Sequence, residues 1–310
     1  MKIFKIFRKI LALGIVILVF VYHKDISNYI ISNYIYNKNS TISITKNEYS
    51  KSIDYSFVKI TDDFLAKDYQ QLLDIFYTIL DSGENSFYFY CDDSYNNCIG
   101  DVNNLLPYND GQSVLSEINN FVHPYNSYKS ITVTTNNFGK ISVQIDKQYS
   151  KEKINYINQE LEKIKTNIIN NDMDNRKMIL AFHDYVINNT QYDIDRAENM
   201  DDTKYKNSTT HTAYGLLENK KALCGGYSDL MSIFLSQLDI NNIRISAHNH
   251  VWNLVFIDEW LHLDMTWDDP VTNTGEPFLI HDYFLITSKN LKKADDVEHD
   301  FNPKIFAEAN

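Results

Sequence analysis

The chain has 310 residues, 44% of them hydrophobic and 23% charged, with 9 Gly and 5 Pro, a balance that excludes a fully disordered, collagenous or low-complexity protein. Its 29 basic residues stand against 41 acidic ones, a net charge of −12, which argues against a nucleic-acid footprint. Five of the positive charges, Lys2, Lys5, Arg8, Lys9 and Lys24, fall in the first 24 residues, so the rest of the chain carries −17.

That basic opening also holds an uninterrupted apolar run from Ile10 to Tyr22. Cations ahead of a short apolar core resemble a secretory signal, because membrane-spanning helices need about 20 apolar residues. No small-x-small cleavage pattern follows, and Ile3, Phe4, Ile6 and Phe7 extend the run while the basic side chains can snorkel to headgroups. Residues 1–24 therefore read as an uncleaved signal anchor, with a cleaved signal peptide as the alternative. Either expectation puts the remaining chain outside the cytoplasm, membrane-held or secreted. Residues 25–50, rich in Asn, Ser, Tyr and Ile without a clear period, read as a spacer.

Residues 51–149 read as a small α+β accessory domain. Phe64, Leu65, Tyr69, Leu72, Leu73, Phe76 and Leu80 recur near helical spacing. Residues 130–134 and 140–145 alternate with period two around Asn136-Asn137-Phe138-Gly139, the pattern of a hairpin. Nothing here gathers acid, base and nucleophile, so a scaffold or recognition role is expected. Cys91 and Cys98 flank a turn-rich loop and form a candidate disulfide, which leaves Cys224 as the odd cysteine.

A helix is expected from Ser150, with Ile154, Ile157, Leu161, Ile164 and Ile168 as one apolar stripe. A second runs from Asp174 to Val186 with Met178, Ala181, Phe182 and Val186 inward. His183 lies beside that stripe and reads as a packed or solvent-facing residue, since no Cys or His sits three or four positions away.

The informative region begins at Cys224 in Lys221-Ala222-Leu223-Cys224-Gly225-Gly226-Tyr227-Ser228. Tyr227, Leu230, Met231, Phe234, Leu235 and Leu238 then recur at helical spacing, so Cys224 marks the start of an amphipathic helix. A thiol there meets free N–H groups and the positive end of the helix dipole, both favourable to thiolate. Gly225 and Gly226 read as space for a substrate backbone. A thiol nucleophile needs a base that later acts as an acid, and histidine suits both roles. His248-Asn249-His250-Val251-Trp252-Asn253-Leu254 reads as a strand, and Trp260-Leu261-His262-Leu263-Asp264 as the next. Antiparallel pairing would set Asp264 beside His250 to orient its ring.

The segments TAYGLLENKKALCGGYSDL, HNHVWNLVF and EWLHLDMTWDDP resemble the transglutaminase-like superfamily, a branch of the papain-like cysteine enzymes, and bacterial extracytoplasmic proteins that carry such a domain. The resemblance covers residues 150–310, including HDYVINNTQYD and HDYFLITS. It implies an α+β, papain-like core in which a Cys at a helix N-terminus packs on an antiparallel sheet bearing His and Asp. Carried over by position, Cys224 is the nucleophile, His250 the base and acid, and Asp264 the orienting carboxylate. Gly225 stands where a larger side chain is often found.

His248 competes with His250 as base, on the same strand face. His262 is expected either in a second hydrogen-bond layer or in a structural role. Asp268 and Asp269 read as turn caps rather than as a calcium site, which wants six or more oxygens. The Cys224 N–H is the default oxyanion donor, with Tyr214 as a second candidate, and Trp252 and Trp267 read as walls of the site. The expected function is acyl transfer or hydrolysis on protein or peptide amides. The alternatives are a cysteine peptidase or amidase acting on cell-wall peptides or surface proteins, and a non-catalytic binding module. No metal, cofactor or nucleic-acid partner is expected.

Overall fold

A computed structural model describes residues 2–30, 42–106, 113–136, 139–199, 208–270, 278–295 and 297–309. The chain opens with α1 (Lys2–Val21) and α2 (His23–Ile30). The four cations of α1 fall at positions 2, 5, 8 and 9, leaving about 18 Å of apolar helix against a hydrocarbon core of about 30 Å. Among the described residues no helix is long and apolar enough to cross a membrane, so the expected anchor finds no support. Of the expected spacer, residues 31–41 lie outside the described residues. Ile42 and Ile44 pack against the core, and Asn47 donates from Nδ2 to Asn126 Oδ1 at 2.8 Å.

The next part is a sheet with helices on it. β1 (Leu65–Ala66) precedes α3 (Tyr69–Ser82), then come β2 (Ser86–Cys91), α4 (Cys98–Leu105), α5 (Val114–Asn119) and the hairpin β3 (Tyr128–Thr135) and β4 (Lys140–Lys147). The strand order is β1-β2-β4-β3, with only the β1–β2 pair parallel. Phe64 and Leu65 precede the helix instead of beginning it, because Asp68 caps α3 by accepting from Gln71 N. Cys91 and Cys98, at the end of β2 and the start of α4, form the expected disulfide.

α6 (Lys151–Ile168) and α7 (Asn175–Asn188) start where Ser150 and Asp174 cap the backbone N–H groups of Lys153 and Lys177. Ile157, Leu161 and Ile164 are buried as the stripe requires. On α7 the buried side chains are Ile179, Phe182, His183, Val186 and Ile187, while Met178 and Ala181 are only half-buried. β5 (Gln191–Tyr192), α8 (Ile194–Glu198), α9 (Ala213–Asn219) and β6 (Lys221–Ala222) lead into α10 (Cys224–Gln237). The sheet β7 (Asn242–Ala247), β8 (His250–Phe256) and β9 (Trp260–Leu263) follows, then α11 (Ser288–Ala294).

α10 is a core helix and not an amphipathic one: residues 226–235 are all buried. It packs on β7 and β8, while Phe182 of α7 stacks on Phe234 with ring centroids 3.8 Å apart. The three-stranded sheet is covered on both faces. Ile243, Ile245, Trp252 and Leu254 enter an apolar cluster with Phe76, Phe89 and Val143 of the N-terminal half. Val255, Leu261 and Leu263 enter a second one with α6, α7 and α10. The result is a mixed α+β structure whose Cys-bearing helix lies on an antiparallel sheet.

Candidate active site

Cys224 is placed by backbone bonds on both sides of it. Leu223 N donates to Thr210 O at 2.8 Å, and Asp193 N to Ala222 O at 2.9 Å, in the short β5–β6 pairing. Leu223 offers no side-chain cap to α10, and the first N–H groups of a helix have no intrahelical acceptor. Gly225 and Gly226 are both required by the backbone packed against them, although Gly225 also borders the cleft beside His250. A Cβ at Gly225 would lie 2.7 Å from His211 O, and one at Gly226 would lie 2.7 Å from Thr210 O. The glycines let the helix start press against the 209–212 backbone, a close approach only glycine permits.

His250 opens β8, and its partner in the register is Ala247. His248 and Asn249 form the turn between β7 and β8, with His248 at φ +50°. His248 therefore does not share a strand face with His250 as expected, because the missed strand β7 ends at Ala247. His250 donates from Nε2 to Asp264 Oδ2 at 2.5 Å, and Cys224, whose Sγ lies 4.0 Å from Asn249 O, acts on the same ring. Burial works against the charged ring, but Asp264 and then Cys224 outweigh it and hold His250 up at about 10. Asp264 is 1% exposed. Burial opposes its ionisation, yet His250 and His299 bring its carboxyl well below the usual range.

The Asp264 oxygens are fully used. Oδ1 accepts from Thr266 N at 2.9 Å and Trp267 N at 3.2 Å, and Oδ2 accepts from His250 and from His299 Nε2 at 2.9 Å. His299 was invisible in the sequence reading, since it lies 35 residues beyond Asp264 in a segment without periodicity. Tyr192 is a second addition. Burial, then the charge of Cys224, pushes its phenol up to about 12, so it stays a neutral hydroxyl. HDYVINNTQYD contained it, but no spacing rule linked it to Cys224.

Trp252 stacks on His250 with centroids 5.6 Å apart, and Trp267 meets the same ring edge-on at 6.4 Å. Both pack on the His250 ring, and neither lines the cleft beside it. His262 accepts from Trp252 Nε1 at 2.9 Å, with burial holding it neutral, down at about 3. Tyr214 is spent elsewhere: its hydroxyl donates to Glu218 at 2.6 Å and its ring packs edge-on with Tyr156. With its hydroxyl committed to Glu218, the expected oxyanion role finds no support. Asp268 and Asp269 are buried ties between elements, not exposed turn caps. Asp268 binds His183 Nε2 at 3.0 Å and accepts from Tyr283 N, while Asp269 accepts from Tyr227 OH at 2.5 Å. His183 finds its partners through the fold. It contacts Asp184, which also binds His281, and the three side chains bring ligand atoms within 4.8 Å of one another, a set that could take a divalent cation.

Beside His250 a cleft of about 350 Å³ is lined by Gly225, Ser228, His248 and Asn249 and, from the N-terminal half, by Asn119 and Tyr128. The model of the transglutaminase-like superfamily matches residues 162–265, ending just past Asp264. Residues 162–265 form a transglutaminase-like domain. Two solved structures are similar to part of the chain. One is a crystal structure of a TGase, with 18% identity, TM-score 0.33 and 45% of each chain covered. The other, from Cytophaga hutchinsonii, is provisionally described as a cysteine protease, with 13% identity, TM-score 0.27, and 49% of this chain and 65% of that one covered. The chain thus spans less than two thirds of either. No curated protein matches it.

Proposed function

We propose that this protein is a thiol-dependent enzyme that transfers acyl groups from protein or peptide amides through Cys224, His250 and Asp264. The observation that carries the reading is the bond from His250 Nε2 to Asp264, on a ring that Cys224 also acts on. In that order the imidazolium and the thiolate form a pair, and Asp264 fixes the ring and stabilises its charge.

The Cys224 thiolate attacks the amide carbon, and the oxyanion meets the Cys224 N–H and the Tyr192 hydroxyl. His250 gives its proton to the leaving nitrogen as the C–N bond breaks, and a thioester remains. Neutral His250 then takes a proton from the acceptor, which attacks the thioester and releases Cys224 as thiolate. A primary amine gives transamidation and water gives deamidation or peptide hydrolysis. The Cys91–Cys98 disulfide supports an oxidising, extracytoplasmic setting, where cell-wall peptides and surface proteins are the available amides.

The test is ammonia release from a glutamine peptide, with and without a primary amine, by the full chain. Amine incorporation marks a transferase, and equal hydrolysis in both cases marks an amidase. Cys224→Ala is expected to lose at least about 100-fold in rate, and wild-type turnover by that variant would refute the proposal.

A further inference from the structure

His299 has side-chain contacts that stability alone does not require. Its side chain is wholly enclosed, with Nε2 on Asp264 at 2.9 Å and Nδ1 on Asp295 Oδ2 at 2.7 Å. Asp295 is itself held by the backbone N–H groups of Val297, Glu298 and His299. Tyr283 stacks on the ring at 5.4 Å, and the edges of Trp252 and Trp267 close it in at 4.7 and 5.0 Å. Carboxylates only accept, so this geometry is satisfied when both ring nitrogens donate. Oδ2 of Asp264 then serves two imidazoles, set edge to face with centroids 5.3 Å apart.

From this we infer that His299, anchored by Asp295, is a positioning residue that holds the same Asp264 oxygen as His250 and divides its charge between the two rings. The inference rests on the proposed roles of Cys224, His250 and Asp264. Its physical content is a chain of alternating groups, Cys224, His250, Asp264, His299 and Asp295, in which Oδ1 of Asp264 is fixed by backbone amides. With that oxygen already fixed, the distinct contribution of His299 is electrostatic. An undivided Asp264 would bind the His250 proton more tightly, and a proton bound too tightly is released slowly to a leaving nitrogen. The other titratable groups facing His299 are His250, with centroids 5.3 Å away, His262 through its field, and Tyr283.

The experiment uses the full chain and iodoacetamide, with the rate of Cys224 alkylation followed by intact mass from pH 5 to above pH 10. Wild type is expected to react fast into the acid range and to show an upper break where His250 loses its proton. His299→Gln keeps a neutral donor for Asp264, and its upper break is expected to rise by about one unit. Asp295→Asn, at the outer end of the chain, is expected to move the break the same way by less. In His299→Gly, imidazole supplied from solvent is expected to return the break to the wild-type position, because a pocket of about 210 Å³ lined by Asp295 and His299 opens there. Breaks that stay at the wild-type pH in these variants overturn the inference, as does a shift that imidazole leaves unreversed, which assigns the effect to lost packing. A wild-type thiol no faster than free cysteine at pH 6, matched by His250→Ala, overturns the proposed function and this inference together.

Discussion

At the scale of single residues, the site is governed by two opposite shifts on one hydrogen bond. His250 is held up at about 10 against an ordinary 6.5, while Asp264 is held below the usual carboxylate range. A raised base contributes stability that is complete below its unfolded value and is lost as pH rises through its folded one. A depressed acid contributes above its unfolded value and loses the contribution in acid. The pair therefore stabilises the fold most between about pH 4 and pH 6.5. Asp264→Asn removes the Asp264 shift and the larger cause of the His250 one. Its melting temperature is expected to fall furthest below wild type at pH 6, with the gap narrowing toward pH 10. Thermal melts across that range check it, and a gap that widens with pH contradicts the charge assignment. In the same variant, alkylation of Cys224 at pH 6 is expected to slow at least tenfold, because one lost pKa unit on the ring is a factor of ten.

At the scale of elements, the start of α10 decides where the sulfur sits. The two glycines press the helix against the carbonyls of Thr210 and His211, and those backbone atoms cannot rotate away. Gly226→Ala is expected to cost about 1–3 kcal/mol, read from denaturant midpoints, and to slow Cys224 alkylation as the helix start shifts. A fully stable, fully reactive Gly226→Ala protein would show that the loop yields. The helix itself was legible from the spacing of Tyr227, Leu230, Met231 and Phe234, and the hairpin and the α6 stripe were equally so. What escaped was long-range. Asn242–Ala247 does not alternate cleanly, because both faces of β7 are buried, and without β7 the turn at His248 read as strand. His183 looked unpartnered because its partners, Asp268 and, through Asp184, His281, come from far along the chain. Cys224, His250 and Asp264 were readable because each opens or follows a regular element. His299 and Tyr192 sit in segments that no period marks.

At the scale of the whole molecule, the sheet that carries His250 is cored from both sides, and one of those cores belongs to the N-terminal half. Arg244 of β7 crosses the same boundary. It pairs with buried Asp229 of α10, donates to Asn119 O at 2.6 Å and Ser127 Oγ at 2.8 Å, and its N–H bonds Asn120 O. Arg244→Leu leaves Asp229 as a buried charge that the Tyr149 hydroxyl alone does not balance, so a loss of about 3–5 kcal/mol is expected. A chain cut to residues 150–310 exposes Ile243, Ile245, Trp252 and Leu254. It is expected to lose the cooperative melt of the full chain, and a sharp melt in that fragment would show that the C-terminal half stands alone.

With Cys91 and Cys98 joined, Cys224 is the one free thiol of the chain. Under non-reducing denaturation, a thiol reagent such as Ellman's therefore counts candidate active centres directly, one per chain. The ratio of fast-reacting thiol in the folded protein to total thiol after unfolding then gives the fraction of any preparation that is chemically competent. That fraction can be measured before a single substrate has been found.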